Sequence, residues 1–459
     1  MSVRKVQLAF DGAVVAEVPE TPLDALPAIF TRAQSACRLM ADLSRDQRAS
    51  ILLKASQHFL DKKEDLARTI TLESGKPIRE ARIEVERAAS TLRFSAQAAL
   101  SLAGEEVPMD AAVQGSGRLA YTLHQPLGVI AAITPFNFPL NLSMHKVGPA
   151  IAAGNAILHK PASATPLSAL HAASILALSG LPPDALQVLV GPGAELGDAL
   201  VSSPTVRMIT FTGSSAVGVT LQAKAGLKRL TLELGSNSAV LILDDADLDL
   251  ALPACVTGAF TNSGQSCISI QRIYVAAPLF DQFTERFVQA TKKLIIAHPL
   301  QEDSDISSLI TEQDAQRVQS WIGEAVREGA SLLTGGGRNL ATLQPTVLAS
   351  VNTSSRLHLD EAFGPVVGIT PFHSLDQAIQ LANDSRYGLQ AGVFTSNLKA
   401  AWRCAKEIET GSVLINDASN FRVDQMPYGG LKDSGLGKEG PHYAIQQMSQ
   451  TKLLSWNLS

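Results

Sequence analysis

From Val129 onward, short uninterrupted apolar runs alternate with stretches of helical spacing, and this rhythm constrains the fold more than any other feature. Residues 129–134, 156–159, 186–190 and 206–211 read as strands apolar on both faces. Residues 143–153 and 166–178 recur at three and four and read as helices. A strand with two apolar faces needs cover on both sides, which parallel strands joined by helical crossovers provide. The expectation is an α/β chain built on a mostly parallel sheet. A second alternation after Glu233, through 240–243, 273–275, 366–372 and 392–395, predicts a second α/β domain. At 459 residues the chain exceeds what one core sustains, so two domains meeting at a cleft agree with its length.

Other segments depart from the rhythm. Residues 1–17 alternate around Asp11-Gly12 like an edge hairpin, not a signal peptide. Residues 41–103 have helical spacing, with Leu52, Phe59, Val85 and Leu92 on apolar faces, and predict a helical lobe. Gly115 and Gly117 mark a turn before the alternating stretch 118–124. A hydrophobic share of 46%, a charged share of 18% and a net charge of -5 describe a globular chain. No basic stripe could follow a phosphate backbone, so no nucleic-acid partner is expected. No apolar stretch reaches about 18 charge-free residues, so no membrane partner is expected. Cys37, Cys255, Cys267 and Cys404 are scattered without metal-ligand spacing, which predicts reduced thiols, a cytoplasmic location and no metal site.

Three segments could carry chemistry. Cys267 follows Asn-Ser-Gly-Gln-Ser, small residues that allow close approach, although an isolated cysteine is more often a small buried hydrophobe. Glu233 is the one acid in the apolar Leu230-Thr-Leu-Glu-Leu. It is either a salt-bridged structural group or a base whose pKa burial raises. Asn137 stands at the carboxyl end of a predicted strand, where its amide either donates to an oxyanion or satisfies its own turn.

These segments, with Gly154-Asn155, Lys160-Pro161, Phe211-Thr-Gly-Ser214, Gly264-Gln-Ser-Cys267, Glu361-Ala-Phe-Gly-Pro365 and Pro427-Tyr-Gly-Gly430 in order along the chain, resemble the aldehyde dehydrogenase superfamily. The resemblance implies two Rossmann-like α/β domains and a small β oligomerisation element. Residues 1–103 and 128–234 would bind cofactor, 235–425 would carry the nucleophile, and 104–127 with 445–459 would join subunits. It implies oxidation of an aldehyde to an acid. Cys267 would attack, Asn137 and the Cys267 N–H would hold the oxyanion, and Glu233 would activate water against the thioester. Lys146 is placed as a proton relay, the alternative being a surface charge on a helix.

No GxGxxG is present. The resemblance assigns cofactor binding to Thr134, Pro135, Phe136, Lys160, Ser163, Gly213, Ser214 and Gly218, with Glu361 and Phe363 at the nicotinamide ribose. Many NAD-using relatives carry glutamate at the Ser163 position. Serine there, beside Lys160, removes a repulsion against a 2′-phosphate, so NADP is expected to be accepted while NAD stays open. His145, Phe421 and Arg422 are placed at the substrate mouth, and His145 and Arg422 suggest a small polar aldehyde or semialdehyde with an anionic tail. Arg422 as a mere loop salt-bridge partner is the alternative. Ser266, before the nucleophile, adds no positive charge. A homodimer or homotetramer is expected. The competing functions are a coenzyme A-acylating relative, disfavoured by Glu233, and a catalytically retired member, disfavoured because Cys267, Glu233 and Asn137 are all present.

Overall fold

A computed structural model describes residues 2–458. Two large sheets organise the chain. The first has the strand order Gly435–Leu436, Arg229–Glu233, Val206–Thr212, Val129–Ile133, Ala156–Lys160, Leu186–Val188, parallel except for its first pair. The second runs Ser331–Thr334, Thr346–Ala349, Val366–Phe372, Ile270–Ala276, Ser238–Ile242, Gln390–Phe394, Ser412–Ile415, again antiparallel only at its first pair.

Period-two alternation explains why both faces of the first sheet are covered. Ile130 and Ala132 join a core with Leu52, Val85 and Leu92 of the N-terminal helices, whereas Val129, Ala131 and Ile133 face a core with Leu196, Leu200 and Leu221. The second sheet is layered likewise. Val240 and Ile273 pack on Phe283 and Phe287, and Leu241 and Val393 pack on Ile379 and Cys404.

The N-terminal lobe comprises the helices Leu26–Asp42, Arg45–Asp61, Lys63–Ser74 and Ile78–Ser101. It begins earlier than the spacing indicates, because the first helix buries small residues such as Ala33 and Ala36, whose apolar signal is weak. Ser44 and Gln47 form a reciprocal capping box that starts the second helix, and Gly75, at φ 77°, ends the third. Val3–Gln7 and Val14–Pro19 form the terminal hairpin. A separate sheet pairs Arg118–Pro126 with Ser449–Asn457 on one side and Glu106–Val107 on the other.

Candidate active site

The site lies where the carboxyl ends of strands of the first sheet meet the segments that lead into the amino ends of strands of the second. Glu233 ends Arg229–Glu233, and the 134–141 loop leaves Val129–Ile133. Cys267 sits in the loop between helix Leu248–Phe260 and strand Ile270–Ala276.

The cysteine loop is held in an unusual path. Asn262 and Ser263 have positive φ of 53° and 54°, and Gly264 follows at 72°. A Cβ on Gly264 would stand 2.2 Å from the Gly364 carbonyl oxygen, so glycine is required there. Asn262 Nδ2 donates to the Asn137 carbonyl at 3.1 Å and to the Gln265 carbonyl at 3.2 Å. Asn137 Nδ2 donates to that Gln265 oxygen at 3.0 Å, and its own Oδ1 is buried without a protein partner. Asn137 and Cys267 are thus stitched together through one short loop.

Helix Ile78–Ser101, with the residues just before it, supports this arrangement from behind. Glu84 Oε1 accepts from the Leu140 and Asn141 N–H groups at 2.9 and 3.2 Å, while its other oxygen pairs with the buried Lys76. The Lys76 ammonium sits 3.7 Å from the Phe138 ring centroid. Glu80 Oε2 accepts from the Asn262 N–H at 2.8 Å.

Glu233 is 2% exposed, and neither carboxylate oxygen has a hydrogen-bond partner among the described residues. Burial, and then the nearby Glu439 carboxylate, raise its pKa well above the ordinary value. The reading of Glu233 as a salt-bridged structural group is therefore set aside. Lys146 is fully buried, which corrects the surface-charge alternative. Its ammonium meets Glu439 Oε1 at 2.5 Å and Thr212 Oγ1 at 2.7 Å. Burial alone would raise the Glu439 carboxyl, but Lys146 and then Arg422 outweigh it and hold it at about 2.

Cys267 borders two cavities. The first, of about 140 Å³, is lined by Arg87, Phe138, Arg422 and Tyr428 among others, together with the carboxylates of Glu80 and Glu84. The second, of about 290 Å³, is lined by Pro135, Phe136, Gly213, Ser214, Glu361 and Phe363 among others. Phe136 and Phe363, one from each half of the chain, meet edge to face at 5.7 Å across it. Glu361 accepts from the Ser236 N–H at 2.9 Å, and burial lifts its carboxyl to about 7. Gly235 makes room for that carboxylate, since a Cβ there would lie 2.4 Å from Glu361 Oε2.

A third cavity of about 400 Å³ is lined by Lys160, Gly193, Val217, Thr220 and Lys224 among others. Ser163 does not line it. Its hydroxyl donates to the Gly191 carbonyl at 2.6 Å and accepts from Lys160 Nζ at 3.4 Å. Thr134 and Gly218 lie beneath these surfaces. The Thr134 hydroxyl bonds His159 at 3.0 Å, and a Cβ on Gly218 would strike Leu234 at 2.5 Å.

Two of the residues expected at the substrate mouth, His145 and Phe421, do not line the cavity beside Cys267. His145 is 1% exposed and lies behind Arg422, 3.4 Å from its guanidinium, with Nε2 3.1 Å from Asp424 Oδ1. Phe421 is 45% exposed and lies outside the lining of the Cys267 cavity. Arg422 does line it, stacks 3.6 Å from the Tyr428 ring centroid and pairs with Glu439 at 3.2 Å. Arg87, bound to Asp424 at 3.0 Å, was not foreseen, nor were Tyr428, Glu439 and Asp424. The signals available were Tyr428, inside the motif Pro427-Tyr-Gly-Gly430, and the acid Glu439, flanked by Lys438 and Gly440 just beyond it.

A profile of the aldehyde dehydrogenase family matches residues 3–454. The chain belongs to the aldehyde dehydrogenase family. It is 47% identical to a 3-sulfolactaldehyde dehydrogenase of Priestia aryabhattai over 90% of this chain and 86% of that one. It also superposes on solved family members. Aldehyde dehydrogenase 21 from Physcomitrella patens, in complex with the reaction product succinate, matches with a TM-score of 0.97 at 37% identity, covering 99% of this chain and 95% of that one. Glyceraldehyde-3-phosphate dehydrogenase from Methanocaldococcus jannaschii, complexed with NADP, matches with a TM-score of 0.95 at 37% identity, covering 99% of both chains. The two-sheet α/β architecture is that of the family. Among the described residues no group of three or more His, Cys, Asp or Glu is arranged to hold a metal, and no helix is long and apolar enough to cross a membrane.

Proposed function

We propose that this aldehyde dehydrogenase oxidises a small polar aldehyde carrying an anionic group to its carboxylic acid, through a thioester on Cys267. The observation that carries the reading is the position of Cys267 between two cavities, one bordered by Arg87 and Arg422 and the other by Glu361 and the Phe136–Phe363 pair.

The residues divide the work as follows. The aldehyde enters past the two guanidinium groups, which favour an anionic tail. Cys267 Sγ adds to the carbonyl carbon, and the developing oxyanion is met by Asn137 Nδ2 and the Cys267 N–H. The buried cavity beyond, with a carboxylate facing it at Glu361 and small residues at Gly213 and Gly235, fits a nicotinamide ribose. A bound NAD(P) supplies the hydride acceptor. Glu233, unpartnered and raised in pKa, then takes a proton from water, whose oxygen adds to the thioester carbon and expels the sulfur. Lys146 and Glu439 form the buried route along which protons leave.

Lys160 lends the third cavity positive charge, which supports NADP, whereas Lys224 there is paired with Asp198 at 2.7 Å. Among the relatives, one is named for 3-sulfolactaldehyde and another is bound to the reaction product succinate. The six-stranded sheet would then mark the cofactor half and the seven-stranded sheet the catalytic half. The sheet of Arg118–Pro126 and Ser449–Asn457 would join subunits, in a cytoplasmic homodimer or homotetramer.

Initial rates with sulfolactaldehyde, succinic semialdehyde, glyceraldehyde 3-phosphate and uncharged lactaldehyde test the reading, each with NAD and NADP, with and without coenzyme A. Highest kcat/KM for an anionic aldehyde with NADP, without coenzyme A, is expected. Preference for lactaldehyde would sink the anionic-tail assignment, and strict dependence on coenzyme A would sink the role of Glu233.

A further inference from the structure

The steps above leave one contact at the nucleophile without a role. The Tyr428 hydroxyl stands 2.9 Å from Cys267 Sγ. Tyr428 is 2% exposed, and its position is set from two sides. Its N–H and carbonyl exchange hydrogen bonds with Glu439 at 3.1 and 2.6 Å, and its ring lies against the Arg422 guanidinium, itself paired with Glu439. The next residue, Gly429, passes so close to Glu233 that a Cβ there would stand 2.9 Å from Oε1. One loop therefore aims a hydroxyl at the sulfur while leaving space beside the carboxylate.

A thiol and a phenol can each donate, but toward a thiolate only the phenol can. The surroundings decide which of the two keeps its proton. Burial, then the Cys267 sulfur, raise the phenol well above its usual value, with Glu233 adding to this and Arg422 opposing it. Burial pushes the Cys267 thiol up to about 11. Tyr428 and then Arg422 oppose that rise, while Glu361 and Glu233 add to it. No other described side chain makes a hydrogen bond to the sulfur.

We propose that Tyr428 is a catalytic residue whose hydroxyl donates a hydrogen bond to the Cys267 sulfur whenever that sulfur carries negative charge. The inference rests on Cys267 being the nucleophile. In the first step the S–C bond forms with a sulfur electron pair and the Tyr428 bond weakens. In hydrolysis a water oxygen adds, its proton passes to Glu233, the C–S bond breaks, and the electron pair returns to a sulfur that Tyr428 faces again. The phenol keeps its proton throughout. The proton that the Cys267 thiol loses on becoming the attacking thiolate passes to Glu233 and on to solvent, and the hydride lost by the adduct before hydrolysis goes to the NAD(P) of the proposed reaction.

Tyr428→Phe removes one oxygen and keeps the ring under Arg422. The test is the pH dependence of Cys267 alkylation by iodoacetamide in the full-length protein, with the modified peptide identified by mass. A hydrogen bond to a charged group predicts alkylation at neutral pH slowed roughly tenfold or more, with the curve displaced to higher pH. Thioester hydrolysis in a single turnover slows as well, while KM for the aldehyde changes less than about twofold by the same logic. Tyr428→His, which returns a ring donor, recovers part of the alkylation rate; if it recovers none, the lost donor is not the cause. An alkylation curve that superimposes on that of the unaltered protein, or moves to lower pH, overturns the role. Full activity in Cys267→Ala would instead overturn the nucleophile reading, independently of Tyr428.

Discussion

At the scale of single residues, the site depends on two carboxylates placed in opposite electrostatic surroundings. Glu439, between Lys146 and Arg422, is held at about 2, and its negative charge helps push Glu233 upward. A base acts deprotonated, so thioester hydrolysis should rise with pH through the Glu233 titration. Glu439→Gln removes the neighbouring charge, lowers the Glu233 pKa and moves that limb to lower pH, which a pH profile of single-turnover hydrolysis reads directly. The same change leaves two buried cations short of a partner and should cost about 3–5 kcal/mol of stability, seen as a lower thermal midpoint. Lys160 is a second case. Burial, then Arg4, lower its ammonium to about 8, so its charge at neutral pH is substantial but incomplete. Lys160→Ala should reduce kcat/KM with NADP about tenfold and leave NAD nearly unchanged. An equal loss with both cofactors would remove Lys160 from the 2′-phosphate site. Cys267, Glu233 and Asn137 were legible in the sequence because each sits in a contiguous motif. Tyr428 also sits in a contiguous motif, Pro427-Tyr-Gly-Gly430, yet neither its role nor that of Glu439 was legible, since both lie in contacts with Cys267 and Lys146 made across the fold.

At the scale of elements, Glu80 and Glu84 stand four apart in the first turns of helix Ile78–Ser101 and so share one helix face, while Lys76, just before the helix, reaches back to pair with Glu84. Through that face the helix touches both walls of the oxyanion site, at residues 140–141 by Glu84 and at Asn262 by Glu80. Glu84→Ala would strand the buried Lys76 and release the turn after Asn137. Expected are a loss of about 3–5 kcal/mol in stability and a fall in kcat larger than the change in KM. An unchanged kcat with lowered stability would make the stripe purely structural. The helical spacing of this region was visible in the sequence. What its charged face does was not, because periodicity reports which residues are buried and is silent on why an acid would be among them. The same holds for the helix Leu26–Asp42, whose small buried alanines weaken the apolar signal.

At the scale of the whole molecule, the alternating apolar runs indicated the central parallel strands of both large sheets but not the parallel strands Thr346–Ala349 and Ser412–Ile415 of the second. They did not indicate that Gly435–Leu436, far along the chain, would close the first sheet beside Glu233, since two residues carry no periodicity. The strand Ser449–Asn457 lies at the edge of its sheet with Leu453 and Trp456 about half exposed. If that edge joins subunits, Leu453→Lys combined with Trp456→Lys should lower the mass found by sedimentation, and an unchanged oligomer would move the interface elsewhere. The central claim is that aldehyde oxidation passes through an acyl group on Cys267 that Glu233 clears. The most direct test is mass spectrometry of Glu233→Gln after mixing with an anionic aldehyde and NADP. One equivalent of reduced cofactor per active site, with the acyl group retained on the peptide carrying Cys267, is the predicted result. Undiminished turnover, or reduced cofactor with no adduct on Cys267, would contradict it.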